Sequence, residues 1–185
     1  SETCHKYGLY LFLDGARLGY GLAAPDNDLT LPEIAALCDV FYIGGTKVGA
    51  LFGEAVVIKN PELAQDFRYL IKQNGGMLAK GRLLGLQFDA LFTDGLYQEI
   101  SAHAIAMAEK LREAFTAKGY TYLAPNRTNQ IFVIVPDAHL AKISEQFEYS
   151  YDQRIDATHS CVRFCTGWAT REENVDALIR CVEKM

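Results

Sequence analysis

No apolar run in this sequence approaches the roughly 20 residues a helix needs to cross a bilayer, which argues against a membrane-spanning chain. No secretory leader is recognisable, and no block of like charge, internal repeat or low-complexity tract interrupts the sequence. Positive charge is in deficit: 18 Lys and Arg against 23 Asp and Glu give a net charge of −5, with a pI near 5.4. That balance excludes nucleic acid or an anionic membrane as the main partner. Cysteine is sparse and odd in number, with five residues at positions 4, 38, 161, 165 and 181. Cys161 and Cys165 fall on one strand-like segment without a second pair to complete a zinc site, so no metal is expected. Thiols set mostly within apolar segments read instead as buried free cysteines of a reducing, cytoplasmic protein.

What is present is the composition of a globular fold. Half of the residues are hydrophobic and 22% are charged. A chain of this length buries about 70% of its unfolded surface, so a core forms without disulfide staples. Leu9 to Leu13 is a continuous apolar run suited to a strand buried on both faces. Thr30, Pro32 and Glu33 open a short helix through about Cys38 as a capping box. Val40 to Ile43 and Gly53 to Ile58 are strands, and Asn60-Pro61 caps a helix through about Lys72. Further helices are expected from about Lys80 to Phe92 and from Tyr97 to Lys118. In the second of these, Ile100, Ala104, Met107, Ala108, Leu111 and Phe115 share a face. Ile131 to Val135 and Val162 to Cys165 are strands around a helix at His139 to Phe147. A second capping box, Thr170 to Glu173, starts a last helix.

The order is βαββαα, a long helix, then βαβα, which is α/β. The expected division is 1–95 and 96–185. Ser1 to Gly8 reads as the end of a helix, and the expectation is that these residues are the rear half of something longer.

Two charged residues stand where apolar, strand-like runs stop: Asp14 after Leu9 to Leu13, and Lys47 within Gly44-Gly-Thr-Lys-Val-Gly49. Ligands of open α/β sheets gather beyond the carboxyl ends of strands. Taken singly, an Asp in that place is equally a phosphoacceptor, a metal ligand or a helix cap. The Gly-rich Lys segment lacks the Gly-Lys-Ser/Thr order of a Walker loop. Gly19-Tyr-Gly21 follows its strand too late for a dinucleotide fingerprint.

In combination they are more specific. Asp14-Gly-Ala-Arg17 after a strand, then a short strand leading to Gly-flanked Lys47, resembles the threonine aldolase and β-eliminating lyase family. The similarity continues through Lys72 to Met77, Thr128 to Phe132 and Val162 to Thr166. It implies the pyridoxal-phosphate-dependent, aspartate-aminotransferase fold. The rear part of its large domain would be a mixed, mostly parallel sheet with flanking helices, followed by a small C-terminal α/β domain. By that resemblance Asp14 pairs with the pyridinium nitrogen of pyridoxal phosphate and Lys47 forms the Schiff base. Arg17 lies near the cofactor's phenolic oxygen and the substrate carboxylate, and Arg163 clamps that carboxylate. Lys72 matches a lysine near the substrate hydroxyl, and equally it ends a helix, where lysine is common. Leu78 stands where the family often has an arginine that reaches the phosphate; Lys80 and Arg82 are the nearest cations. His5, His103, His139 and His159 read as surface or packing residues, and Trp168 and the tyrosines as core or interface.

The implied activity is that of a low-specificity L-threonine aldolase, taking a threonine-like β-hydroxy amino acid, in a homo-oligomer (dimer or tetramer). A β-eliminating lyase or aminotransferase is the alternative within the cofactor class. A non-catalytic, truncated α/β domain with an assembly or binding role is the alternative outside it.

Overall fold

The computed structural model covers residues 1–185, which divide into one unit of residues 1–22 and 27–100 and another of 23–26 and 101–185. The first unit contains α1 (Glu2–Lys6), β1 (Phe12–Leu13), α2 (Leu18–Leu22), α3 (Leu31–Leu37), β2 (Val40–Gly44), β3 (Glu54–Ile58), α4 (Pro61–Ala64), α5 (Phe67–Gln73) and α6 (Arg82–Phe92). α7 (Leu96–Ala117) begins there and continues into the second unit. That unit adds β4 (Thr121–Tyr122), β5 (Gln130–Pro136), α8 (Asp137–Ile143), β6 (Ser150–Arg154), β7 (His159–Cys165) and α9 (Glu172–Glu183). No helix is long and apolar enough to cross a membrane.

The first unit is organised by a three-stranded sheet in the order β1-β2-β3. β1 runs parallel to β2 and β3 antiparallel, so the sheet is mixed. β2 lies between the other two and buries Phe41, Ile43 and Gly44. Glu33 closes the predicted cap of α3, accepting from the Thr30 amide at 2.7 Å and the Thr30 hydroxyl at 2.6 Å. Asn60 caps α4 through the Glu62 amide at 3.0 Å.

Four local expectations need correction. The Leu9 to Leu13 run is not buried on both faces: Leu9 is 58% exposed, Tyr10 58% and Phe12 59%. β1 is the edge of its sheet, and no segment of these 185 residues pairs with its outer side. The helix expected from Asn60 to Lys72 is two helices, because Asp66 takes a left-handed conformation at φ 57° and interrupts the ladder. Thr170 does not cap α9. Its hydroxyl instead closes a turn, accepting from the Gly167 amide at 2.8 Å. The thiols are not all buried: Cys165 is exposed, and all five cysteines are free.

In the second unit, α7, α8 and α9 cover one face of a four-stranded antiparallel sheet, β4-β5-β7-β6. β5 alternates strictly, burying Ile131, Val133 and Val135, as a strand with one covered face must. Those side chains meet Met107, Ala108, Leu111 and Phe115 of α7 and Val175, Leu178 and Val182 of α9. The Met107 to Phe115 part of the stripe read from the α7 sequence is therefore the face on the sheet. β6 has no buried residue, which is why no hydrophobic pattern announced it. Polar pairing holds its end: Arg154 bonds Asp137, and Asp137 accepts from Ser160 at 2.8 Å.

Asp156 ties the β6–β7 turn. Its Oδ1 accepts from the Thr158 amide at 2.7 Å and the His159 amide at 2.8 Å. The Thr158 amide, first among these donors, and the His159 ring hold the carboxyl down to about 2, below its ordinary 3.8. A depressed pKa means the charged form favours the fold. This contribution is complete above pH 3.8 and is lost as pH falls through about 2. Amide-exchange protection at Thr158 and His159 should therefore collapse over that window, while Asp156→Ala should lack it at neutral pH.

Candidate active site

The site of the first unit begins with strand register. Phe12 stands opposite Val40 and Leu13 opposite Phe41, so the next residues, Asp14 and Tyr42, emerge side by side. The backbones then cross at two glycines. A Cβ on Gly15 would lie 1.6 Å from the Tyr42 carbonyl oxygen, and one on Gly44 would lie 2.5 Å from that of Ala16. Only glycine at both positions permits the approach, which the Gly44 amide seals by donating to the Gly15 carbonyl at 2.9 Å.

Asp14 sits beyond the end of β1, exposed. Its Oδ1 takes two donors, the Tyr42 hydroxyl and the Ala16 amide at 3.0 Å. Oδ2 takes none from the protein. The Tyr42 hydrogen bond, then that from Ala16, holds this carboxyl below its ordinary range, and the cations Lys47 and Arg17 add to the effect.

Lys47 is presented on a tight turn. The Val48 amide donates to the Gly45 carbonyl at 2.9 Å and the Ala50 amide to the same oxygen at 3.0 Å. Three groups brace this turn from below. The hydroxyl of Tyr20, itself only 1% exposed, donates to the Lys47 carbonyl. The hydroxyl of Tyr97, also 1% exposed, donates to the Gly44 carbonyl at 3.2 Å. Glu54 accepts from the Gly45 amide at 2.8 Å. Burial pushes the Tyr97 phenol up to about 12, so it remains a donor at any ordinary pH. With Val48 fully buried beneath it, the backbone is held while the Lys47 side chain stays exposed.

The other named residues lie elsewhere. Lys72 is exposed in the last turn of α5, in the same unit. Arg163 belongs to the second unit, on β7. It donates to Gln130 Oε1 at 3.3 Å and Ser150 Oγ at 3.5 Å, and its guanidinium lies 6.0 Å from the Phe132 ring centre. Its Nε is buried without any partner. Arg163 is in no ion pair and lines a cleft of about 290 Å³ together with Glu148 and Ser150. His103 bonds the Thr170 carbonyl at 2.7 Å and His139 the Tyr120 hydroxyl at 2.8 Å. No group of three or more His, Cys, Asp or Glu is arranged to hold a metal ion.

Sequence reasoning missed Tyr42, Tyr20, Tyr97 and Glu54. The tyrosines had been assigned to core or interface, and two are indeed core. Their hydroxyls, however, point at the Lys47 turn. The available signal was the density of tyrosine around two strand ends that already carried charge.

The residues fit pyridoxal phosphate on the structure's own terms. Asp14 offers an ionised carboxylate with a free oxygen, and Lys47 a free amine on a braced turn. Gly44→Ala should cost about 1–3 kcal/mol through backbone overpacking, read as a lower urea midpoint. Borohydride-trapped cofactor at Lys47 should fall with it.

Comparison with known proteins identifies the family. The family model for beta-eliminating lyases matches residues 1–138. The low specificity L-threonine aldolase of Pseudomonas sp. (strain NCIMB 10558) is 31% identical over 182 residues, 96% of this chain and 51% of that protein. A threonine aldolase structure from Leishmania major superposes with a TM-score of 0.96 at 42% identity, over 99% of this chain and 54% of that one. Serine palmitoyltransferase of Sphingomonas wittichii, at 16% identity and a TM-score of 0.68 over 99% of this chain and 48% of that one, shares the fold alone. The chain spans about half the length of the curated relatives it matches. With the match extending from Ser1 through Asp137 to Ala138, across Asp14, Arg17 and Lys47, this chain belongs to the beta-eliminating lyase family.

Proposed function

We propose that this chain is part of a pyridoxal-phosphate-dependent lyase, a low-specificity L-threonine aldolase that cleaves threonine or allo-threonine to glycine and acetaldehyde. The observation that carries the reading is the pairing of Asp14, with one oxygen engaged and one free, and Lys47, whose amine stands exposed on a braced turn.

Lys47 would hold the cofactor covalently through Nζ. Asp14 would accept from the cofactor's ring nitrogen and favour its protonated form. The bound cofactor supplies an electron sink for the pair left on Cα when the Cα–Cβ bond breaks. Arg17 contributes positive charge beside the phenolic oxygen and the substrate carboxylate, and Arg163 binds that carboxylate in two-pronged fashion. Lys72 is assigned to the substrate hydroxyl, whose proton must leave as the carbonyl of acetaldehyde forms. A proton added at Cα completes glycine, so the reaction balances without water or an oxidant.

Relatives named threonine aldolase support this choice of bond. The family's own description favours β-elimination as the second reading, and an aminotransferase is the further alternative within the same cofactor class. The same reading assigns the protein to the cytoplasm as a homo-oligomer, a dimer or tetramer.

The test is product analysis of the complete protein with threonine and allo-threonine. Glycine with acetaldehyde supports the aldolase; pyruvate and ammonia from serine without aldehyde from either threonine rejects it. Lys47→Ala should lose the borohydride-trapped adduct on peptide mapping and lower turnover by roughly a thousandfold or more. A scaffold role predicts no change in either. Arg163→Lys keeps the charge but not the two-pronged contact. It should raise KM for threonine roughly tenfold with kcat little altered.

A further inference from the structure

We infer that Tyr42 is a positioning residue for Asp14: by engaging Oδ1 it fixes the carboxylate so that Oδ2 alone faces the cofactor's ring nitrogen. The inference rests on the pyridoxal reading and assigns a role to a residue outside the Asp14, Arg17, Lys47, Lys72 and Arg163 set.

The argument begins with register. β1 and β2 are parallel, and the pairing of Leu13 with Phe41 puts Tyr42 on the strand beside Asp14 and on the same face. The Tyr42 ring lies against the Phe12 ring, with centroids 6.1 Å apart and planes at 37°, so the phenol is steered along the strand ends. Its hydroxyl donates to Oδ1, the oxygen that also accepts from the Ala16 amide at 3.0 Å.

A carboxylate on a single Cβ–Cγ bond can exchange its two oxygens by rotation. One backbone donor alone leaves that exchange open. A second donor on the same oxygen, from a different strand, opposes it, and the free oxygen then keeps one direction. This is the pre-organisation that a hydrogen bond to a pyridinium requires.

The electrostatics point the same way. Among the influences on Asp14 the Tyr42 bond is the largest, ahead of the Ala16 amide, Lys47 and Arg17. The same bond raises the Tyr42 phenol, with Asp14 and Glu54 adding to the rise, so Tyr42 stays protonated and remains a donor.

Tyr42→Phe removes the hydroxyl and keeps the ring against Phe12. In the complete protein without cofactor, a carbon-13 titration of the Asp14 carboxyl should move up toward the ordinary carboxylate range. In the protein loaded with nitrogen-15-labelled pyridoxal phosphate, the wild-type ring nitrogen should give a protonated signal. Tyr42→Phe should shift that signal part of the way toward the one given by Asp14→Asn. Cofactor affinity should weaken about tenfold. An unchanged ring-nitrogen signal and Asp14 titration in Tyr42→Phe would overturn the inference while leaving the pyridoxal reading intact. A wild-type protein that takes up no cofactor at Lys47 would overturn the reading itself, and this inference with it.

Discussion

The backbone crossing at Gly15 and Gly44 is the constraint on which the site depends. Two strand ends approach so closely that a single methylene at either position would strike a carbonyl. Because β1 and β2 are parallel, both chains leave the sheet at the same end, and the Gly44 amide donating to the Gly15 carbonyl ties them where they cross. Asp14 immediately precedes one glycine and the Lys47 turn follows the other. In the proposed function, this carboxylate and this amine, distant in sequence, act on one ligand. Neither side chain needs a bond to the other, since the main chain does the placing.

The division of labour around Lys47 follows from the same geometry. The hydrogen bonds that hold the Lys47 turn all fall on the backbone. Tyr20 takes the Lys47 carbonyl, Tyr97 the Gly44 carbonyl and Glu54 the Gly45 amide. Both tyrosines are core residues whose rings are packed beneath the turn, so their hydroxyls donate from fixed positions. The exposed amine on a rigid base and the exposed carboxylate with one engaged oxygen are two versions of one arrangement. In each, a charged group is left exposed while its support is held by hydrogen bonds.

How much of this was legible depended on whether a pattern is local. The strand ends at Asp14 and Lys47 could be read because apolar runs stop there, and α7 because its apolar face repeats over about four turns. β6 could not be read, since all five of its residues are exposed and its place is fixed by Arg154, Asp137 and Ser160 rather than by burial. The Thr170 box failed because a competing acceptor role, closing the turn from Gly167, is decided by geometry rather than by spacing. Tyr42 was invisible for a related reason. Its importance lies in which residue of β1 stands opposite it, and parallel register across a long connection is not written in either strand. The apolar run at Leu9 to Leu13 was read correctly as strand-forming in character but wrongly as covered, because covering depends on what lies beyond the sheet edge.

Arg163 extends the argument to the second unit, where its direction is inherited. Gln130 Oε1 holds one of its guanidinium nitrogens at 3.3 Å, and Gln130 is the first residue of β5. The start of β5 is in turn fixed by Arg112 of α7. One Arg112 nitrogen donates to the Thr128 carbonyl at 2.7 Å, the Gln130 carbonyl at 3.3 Å and Asn126 Oδ1 at 3.2 Å. Burial depresses the Arg112 pKa, and Glu109 at 3.1 Å offsets part of that cost. A half-buried arginine whose donors go to main-chain carbonyls sets the path of a strand. Arg163, one strand over, keeps an orphaned Nε and no carboxylate partner. The two arginines thus differ in their partners: Arg112 donates to three acceptors of its own chain through one nitrogen and to Glu109 through Nε, whereas Arg163 keeps a buried Nε without a partner.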